Sequence, residues 1–259
     1  GGRPRYTLER VEEDGVPVFL LHNPGDPAKR FRSSYRDEAV ERVFAELLAR
    51  ERPDVVHFTY LLWGLSLRLP EVARAAGVPG VATLTDYGLL CHRGQMFDAT
   101  LARCGGPHPP TVCARCIRTP SSSDHAPLAR LARGVAAEGL AQLGGLGRVP
   151  VTADLALREG EVRRALDTLS RLIAPTHGML EAFARAGVAR AKLVELTYSF
   201  DEAPYRAWRA APAPRPVRFC FLGQFAPHKG LACLLEAARL LERADPRAEW
   251  ELVLHGGPS

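Results

Sequence analysis

The chain has 259 residues, 46% of them apolar, enough for one large domain or one and a half ordinary ones with a sizeable core. Its formal charge of +5 comes from arginines interleaved with glutamates on helix-like surfaces, as with Arg163 and Arg164 beside Glu159 and Glu161. That is ordinary helix charge, which argues against a nucleic-acid partner and leaves only a modest attraction to anionic substrates or membrane surfaces. No apolar run approaches the roughly 20 residues of a membrane span, and the opening GGRPRYTLERVEEDG is no signal peptide.

Taken in order, residues 15–23 (GVPVFLLHN) read as a strand, and residues 36–50 as a helix with apolar spacing at Val40, Val43, Phe44, Leu47 and Leu48. A strand over 55–58, a helix over 65–76 ending at Gly77 and a strand over 81–84 follow. Such short joints require right-handed crossovers and a parallel sheet. After a long irregular segment come a helix over 153–169, a buried strand at 172–174, a helix from His177 stopped by Gly187, and a further strand in AKLVEL. Residues 201–216 carry four prolines and no strand pattern, which marks a linker. The alternation then restarts with a strand at 217–222, a helix at 231–243 and a strand at 250–254. The expected class is α/β, with a Rossmann-like unit over 1–200 that is incomplete at its start, the linker, and the first β-α-β of a second Rossmann-like unit over 217–259. Both ends of the chain read as cut, so an internal fragment is expected.

The strand at 217–222 runs through a glycine-containing basic turn into an amphipathic helix. Such a turn aims backbone N–H groups and one lysine at the carboxyl edge of a parallel sheet, where anions are held. The lysine is Lys229, and the chain's only others are Lys29 and Lys192, so a general need for charge is met by arginine. Read alone, the motif fits a solvated lysine ahead of a helix equally well.

Four segments align in one order: residues 52–91 (RPDVVHFTYLLWGLSLRLPEVARAAGVPGVATLTDYGLLC), 171–201 (RLIAPTHGMLEAFARAGVARAKLVELTYSFD), 221–241 (FLGQFAPHKGLACLLEAARLL) and 252–259 (LVLHGGPS). Together they resemble the middle of a family 4 glycosyltransferase of GT-B architecture. The resemblance implies two Rossmann-like domains facing across a cleft. It also implies transfer of a sugar, with retention, from a nucleotide-sugar donor to a glycan or lipid-linked acceptor. FLGQFAPHKG matches the family's G-R-x-x-x-x-K-G donor turn at Gly223, Lys229 and Gly230, with Gln224 in place of the arginine. An amide lacks the charge-assisted, bidentate grip of guanidinium on a phosphate.

On the acceptor side the family's T-x-H-D becomes TLTDYG. Thr85 stands in the position of the catalytic histidine, followed by Asp86 and Tyr87; His57 is kept upstream, but Thr59 replaces a second histidine. Threonine is no base near neutral pH, although its hydroxyl can bond a sugar. Two outcomes follow: an enzyme in which the departing diphosphate assists attack, which is the preferred reading, or a catalytically impaired homologue that binds a sugar nucleotide or glycan. The family's E-x7-E helix is expected beyond Ser259 and its Gly-rich loop before Gly1, so this stretch alone is expected to lack transferase activity. Tyr198 and Asp201 match the interdomain hinge, with Ser199 in place of a glycine. The family setting is cytoplasmic, with peripheral contact at the inner face of the plasma membrane.

Between the strand at 81–84 and the helix at 153–169, Cys91, Cys104, Cys113 and Cys116 are spaced C-x12-C-x8-C-x2-C. A C-x2-C pair bites one tetrahedral metal, and two outlying thiolates complete a four-ligand set. A loop so poor in aliphatic residues has little else to hold it. Structural zinc is placed ahead of two disulfides because the family works in a reducing compartment; an iron–sulfur cluster and four unlinked thiols are the other readings. Bacterial relatives carry LLCPRG before a C-x2-C; here His92 replaces that proline, and His92 and His108 are substitute ligands. Four thiolates leave zinc no open position, so the expected role is structural. Thr176 is expected as an N-cap ahead of His177. His22 and His125 are expected at the surface, and Cys220 and Cys233 as core thiols.

Overall fold

The structure, a computed structural model, describes residues 4–23, 31–119, 152–207 and 216–257. It is mixed α/β, with one parallel four-stranded sheet and two separate strand pairs.

The first pair corrects the sequence expectation. Strand β1 (Thr7–Glu13) pairs antiparallel with β2 (Val16–His22), so β2 is half of a hairpin and no part of the parallel sheet. The cause is local: Asp14 and Gly15, with φ of 51° and 79°, form a two-residue turn of the kind that twists with an antiparallel ribbon. The charged alternation of Glu9, Arg10, Glu12 and Glu13 concealed β1.

Helix α1 (Glu38–Glu51) starts at Asp37, whose carboxylate accepts from the N–H groups of Ala39 and Val40. Strand β3 (Val56–Phe58) leads to α2 (Leu69–Ala75), a helix shorter than its apolar pattern. Pro70 in its first turn sets the start, and the backbone before it turns through Trp63 and Gly64 at positive φ. Next come β4 (Gly80–Thr83), α3 (Pro110–Arg118), α4 (Thr152–Thr168), β5 (Arg171–Ala174), α5 (His177–Arg185) and β6 (Leu193–Glu195). Thr176 caps α5 through the Met179 N–H, and Gly187 follows its end with φ of 92°.

Strands β3-β4-β5-β6 lie side by side in chain order, all parallel. Their register places Phe58, Ala82, Leu172 and Leu193 in one row across the sheet, and all four are buried. Against this row pack Val40 and Leu48 of α1, Ala73 of α2, Val162, Ala165 and Leu166 of α4, and Phe183 of α5. Helix α4 also touches α2 and α3.

Glu161, read as helix surface, is instead buried on α4, where it joins Arg68, Arg164 and Arg36. Arg163 does sit on the surface with Glu159. Within the proline-rich segment Ala203–Tyr205 form a 3-10 turn, and residues 208–215 lie outside the described residues, as does His125.

The last pair, β7 (Val217–Leu222) and β8 (Trp250–His255), is parallel and joined through α6 (Leu231–Ala244). Two strands and one helix cannot enclose a core, and no residue of α6 is buried. Cys220 and Cys233 are accordingly exposed, not core thiols.

Candidate functional site

Parallel strands place their exits at one edge, where turns offer side chains and N–H groups to a ligand. At that edge of the four-stranded sheet, Thr59 and Tyr60 follow β3, Thr85, Asp86 and Tyr87 follow β4, and Thr176 and His177 follow β5. Tyr60, Thr85 and Asp86 line one small depression with Leu61, Leu62 and Leu89. The Thr85 hydroxyl donates to the Thr59 carbonyl at 3.4 Å.

Asp86 is held by its own turn: its Oδ1 accepts from the Gly88 N–H at 2.6 Å. A Cβ on Gly88 would fall 2.8 Å from that carboxylate oxygen and 3.0 Å from Leu62, so a side chain there would push the Asp86 carboxylate from its place. Burial raises the Tyr60 phenol above its usual range, and the Asp86 charge pushes the same way. Tyr60 therefore stays a neutral donor near a fixed carboxylate, a pairing suited to neutral hydroxyl-rich ligands.

The other expected acceptor residues divide. His57 lies one step before the edge, on an exposed face, where its Nε2 is 2.8 Å from the Thr83 hydroxyl and away from Asp86. Tyr87 packs against the core, and its carbonyl accepts from Leu90 and Cys91, closing the turn that leads into the cysteine loop. His177 pairs through Nδ1 with Glu195 at 3.0 Å, tying the β5 and β6 exits together.

At the β7 exit, the Gly223 N–H donates to His255 and the Phe225 N–H to Gly257, so the chain leaves alongside the end of β8. The two backbones nearly touch: a Cβ on Gly256 would stand 1.8 Å from the Gly223 carbonyl oxygen. The 3-10 turn Pro227–Lys229 then delivers Gly230, which starts α6 in the left-handed region with φ of 78°. Among the described residues no side chain caps α6, which leaves its leading N–H groups open to an anion. Gln224 and Lys229 are both exposed on this turn.

Cys91, Cys104, Cys113 and Cys116 are all reduced and half-buried. Burial pushes the Cys113 thiol above its ordinary value. Among the described residues no three His, Cys, Asp or Glu side chains already stand in metal-ligating positions. His92 is engaged elsewhere: its ring packs, tilted, with centroids 4.6 Å from Phe31 and 5.5 Å from Trp63. Burial, with help from Arg158 and Arg93, depresses its pKa to about 4. His108 instead offers its carbonyl to the Cys113 thiol at 3.6 Å.

Between this loop and α4 lies a cavity of about 230 Å³, lined by Leu90, His92, His108, Cys113, Arg158 and Val162 among others. It is larger than the depression at the strand edge but lies outside it.

Two residues escaped the sequence reading. Tyr60 carried no motif of its own. Arg158 did leave a signal, since it falls on the stripe Leu155, Arg158, Val162, Ala165 and Leu166, where an apolar residue is expected. It is buried, and its guanidinium donates to the Gly88 carbonyl. No protein-family model and no curated protein sequence matches the chain.

Proposed function

We propose that this chain carries the acceptor-side domain and the donor diphosphate turn of a retaining, GT-B-type family 4 glycosyltransferase. The observation that carries the reading is the coincidence of two kinds of strand exit: Tyr60, Thr85 and Asp86 around one depression, and Gly223, Lys229 and Gly230 at the head of α6. The first set suits sugar hydroxyls and the second a diphosphate.

In this reading the N–H groups of the Gly223–Gly230 turn and the Lys229 ammonium bind the donor phosphates. Asp86 accepts from, and Tyr60 donates to, hydroxyls of the sugar or acceptor. Thr85 supplies no base, so the acceptor proton passes to the departing diphosphate oxygen. The new C–O bond forms on the face from which the old one breaks. With a glycan or lipid-linked acceptor, the protein works in the cytoplasm, in peripheral contact with the inner face of the plasma membrane. Among the described residues no helix is long and apolar enough to cross one.

A second reading, a sugar-nucleotide or glycan binder with impaired catalysis, draws on Thr85 and Gln224 standing where a histidine and an arginine are expected. The test is calorimetric titration of the folded chain with a panel of nucleoside diphosphates, followed by turnover assays of the full-length protein, as the parent and carrying Thr85→His and Gln224→Arg. Millimolar or tighter diphosphate binding that Lys229→Ala removes supports the donor turn. Binding to none of the panel overturns it. Turnover in the parent or restored protein supports the enzyme; binding without turnover in either favours the second reading.

A further inference from the structure

We propose that Cys91, Cys104, Cys113 and Cys116 close on a single structural zinc ion, and that the resulting tetrathiolate is the counter-anion of the buried Arg158. The proposal is independent of any transferase activity.

Three different pieces of backbone carry the four thiols. Cys91 ends the turn closed by its own N–H to the Tyr87 carbonyl. Cys104 follows a small antiparallel bridge between Phe97 and Arg103, and its N–H bonds the Met96 carbonyl. Cys113 and Cys116 stand one turn apart on α3, which puts both on the same side of the helix. Arg93, two residues after Cys91, donates to the Cys116 carbonyl, the Cys113 thiol donates to the His108 carbonyl at 3.6 Å, and the Cys104 sulfur lies beside Gly106, so the three pieces fold onto one another.

The segment has little other reason to hold its shape. Between residues 91 and 109 only Ala99 and Gly106 are buried, so the excursion contributes almost no apolar surface to the core.

The charge balance points the same way. Arg158 is buried, and among the described residues its hydrogen bonding goes to the neutral Gly88 carbonyl, with no carboxylate in an ion pair. Guanidinium stays charged in proteins, and a charge taken from water needs an anion nearby. Cys113 and Arg158 line the same cavity between the loop and α4. Arg93 flanks the cluster as well: it donates to the carbonyls of Cys116 and Thr119, both at 2.7 Å, and its buried Nε has no partner. Four neutral thiols would leave Arg158 without an ion-paired anion among the described residues. Four thiolates around Zn²⁺ carry a net double negative charge. On binding, each cysteine S–H gives its proton to solvent and each sulfur forms one Zn–S bond. Closing the set takes rotation of cysteine side chains within the gathered loop.

The site reaches the strand edge through Arg158. Its guanidinium holds the Gly88 carbonyl while the Gly88 N–H holds Asp86. Zinc fixes the loop, the loop's charge fixes Arg158, and Arg158 positions the turn that presents Asp86.

The test starts from the 259-residue chain purified in reducing, chelator-free buffer. The expected result is one zinc per chain by elemental analysis, and cobalt(II) exchange giving thiolate-to-cobalt charge-transfer bands with tetrahedral d–d bands. Cys113→Ser is expected to lose the metal and Cys220→Ser to keep it. Arg158→Met is expected to weaken zinc by roughly ten- to a hundredfold in chelator competition, with partial recovery in Arg158→Lys. A folded chain without stoichiometric zinc, iron with sulfide in its place, two disulfides, or full metal in Cys113→Ser would overturn the site. Unchanged zinc affinity in Arg158→Met would overturn the counter-anion role.

Discussion

Arg68, the residue before α2, forks across both carboxylate oxygens of Glu161 on α4, 93 positions later in the chain. Arg164 adds a third donor one turn along α4. The pair clamps α2 to α4 over the sheet.

Because Glu161 is buried, removing its charge strands Arg68 next to a desolvated site. Glu161→Gln is expected to cost about 3 kcal/mol, toward the low end for a buried pair because Arg68 is only partly covered. Burial alone would raise the Glu161 pKa, but the hydrogen bonds from Arg68 and Arg164 outweigh it and hold the carboxyl below its ordinary value. A carboxylate with a depressed folded pKa contributes fully above its unfolded pKa and loses the contribution as pH falls toward the folded one. Urea unfolding of wild type and variant should therefore differ most near neutral pH and converge in acid below the usual carboxylate range.

Asp37 links the hairpin to the main sheet unit. Its Oδ1 caps α1, while Oδ2 accepts from the Tyr6 hydroxyl at 2.9 Å. Asp37→Ala is expected to cost about 2 kcal/mol, the cap and the buried bond together. Asp37→Asn keeps the cap and should lose about half as much, and Tyr6→Phe should cost about 1 kcal/mol. Thermal unfolding of the three variants ranks them.

Gly256 meets the Gly223 carbonyl so closely that a single methyl must part the ends of β7 and β8. Gly256→Ala is expected to destabilise by about 1–3 kcal/mol or more and to spread the donor turn. At neighbouring Gly257 a Cβ meets nothing within 4 Å, so Gly257→Ala should stay within about 0.5 kcal/mol. Amide exchange at Gly223 and Phe225, whose N–H groups cross between the two strand ends, should quicken in the first variant only.

Lys229 and Gln224 are exposed on the same turn, so either can change without disturbing the core. Gln224→Arg is expected to tighten nucleoside diphosphate binding about tenfold, the ~1.4 kcal/mol of an added charge-assisted bond. Lys229→Ala should weaken it by at least as much. Titration at two salt concentrations checks the charge assignment, since the arginine gain should shrink with salt.

Much of this was legible in the residues themselves. The strands now seen as β3 to β8 and the helices α2, α4, α5 and α6 follow from period and punctuation, whereas α3 lies in the segment read as irregular, and the row Phe58, Ala82, Leu172 and Leu193 comes from the register. The N-cap at Thr176 was readable from its place before an amphipathic run. The hairpin was missed because β1 is mostly charged, although Asp14-Gly15 marked the turn. Glu161 and Arg158 were misjudged or overlooked because burial of a charge depends on partners from distant elements. Cys220 and Cys233 sit on apolar patterns, yet an apolar pattern buries nothing unless something packs against it.

The sequence by itself determined the order of elements, the glycine and lysine of the β7 turn, and the spacing of the four cysteines, since these are properties of contiguous residues. Only the tertiary structure decided which distant groups meet: Arg68 with Glu161, Arg158 with the Gly88 carbonyl, and His57 with Thr83. The physical reason is that periodicity reports which face of an element is apolar. The partner of a buried charge is settled by packing between elements that local sequence does not encode.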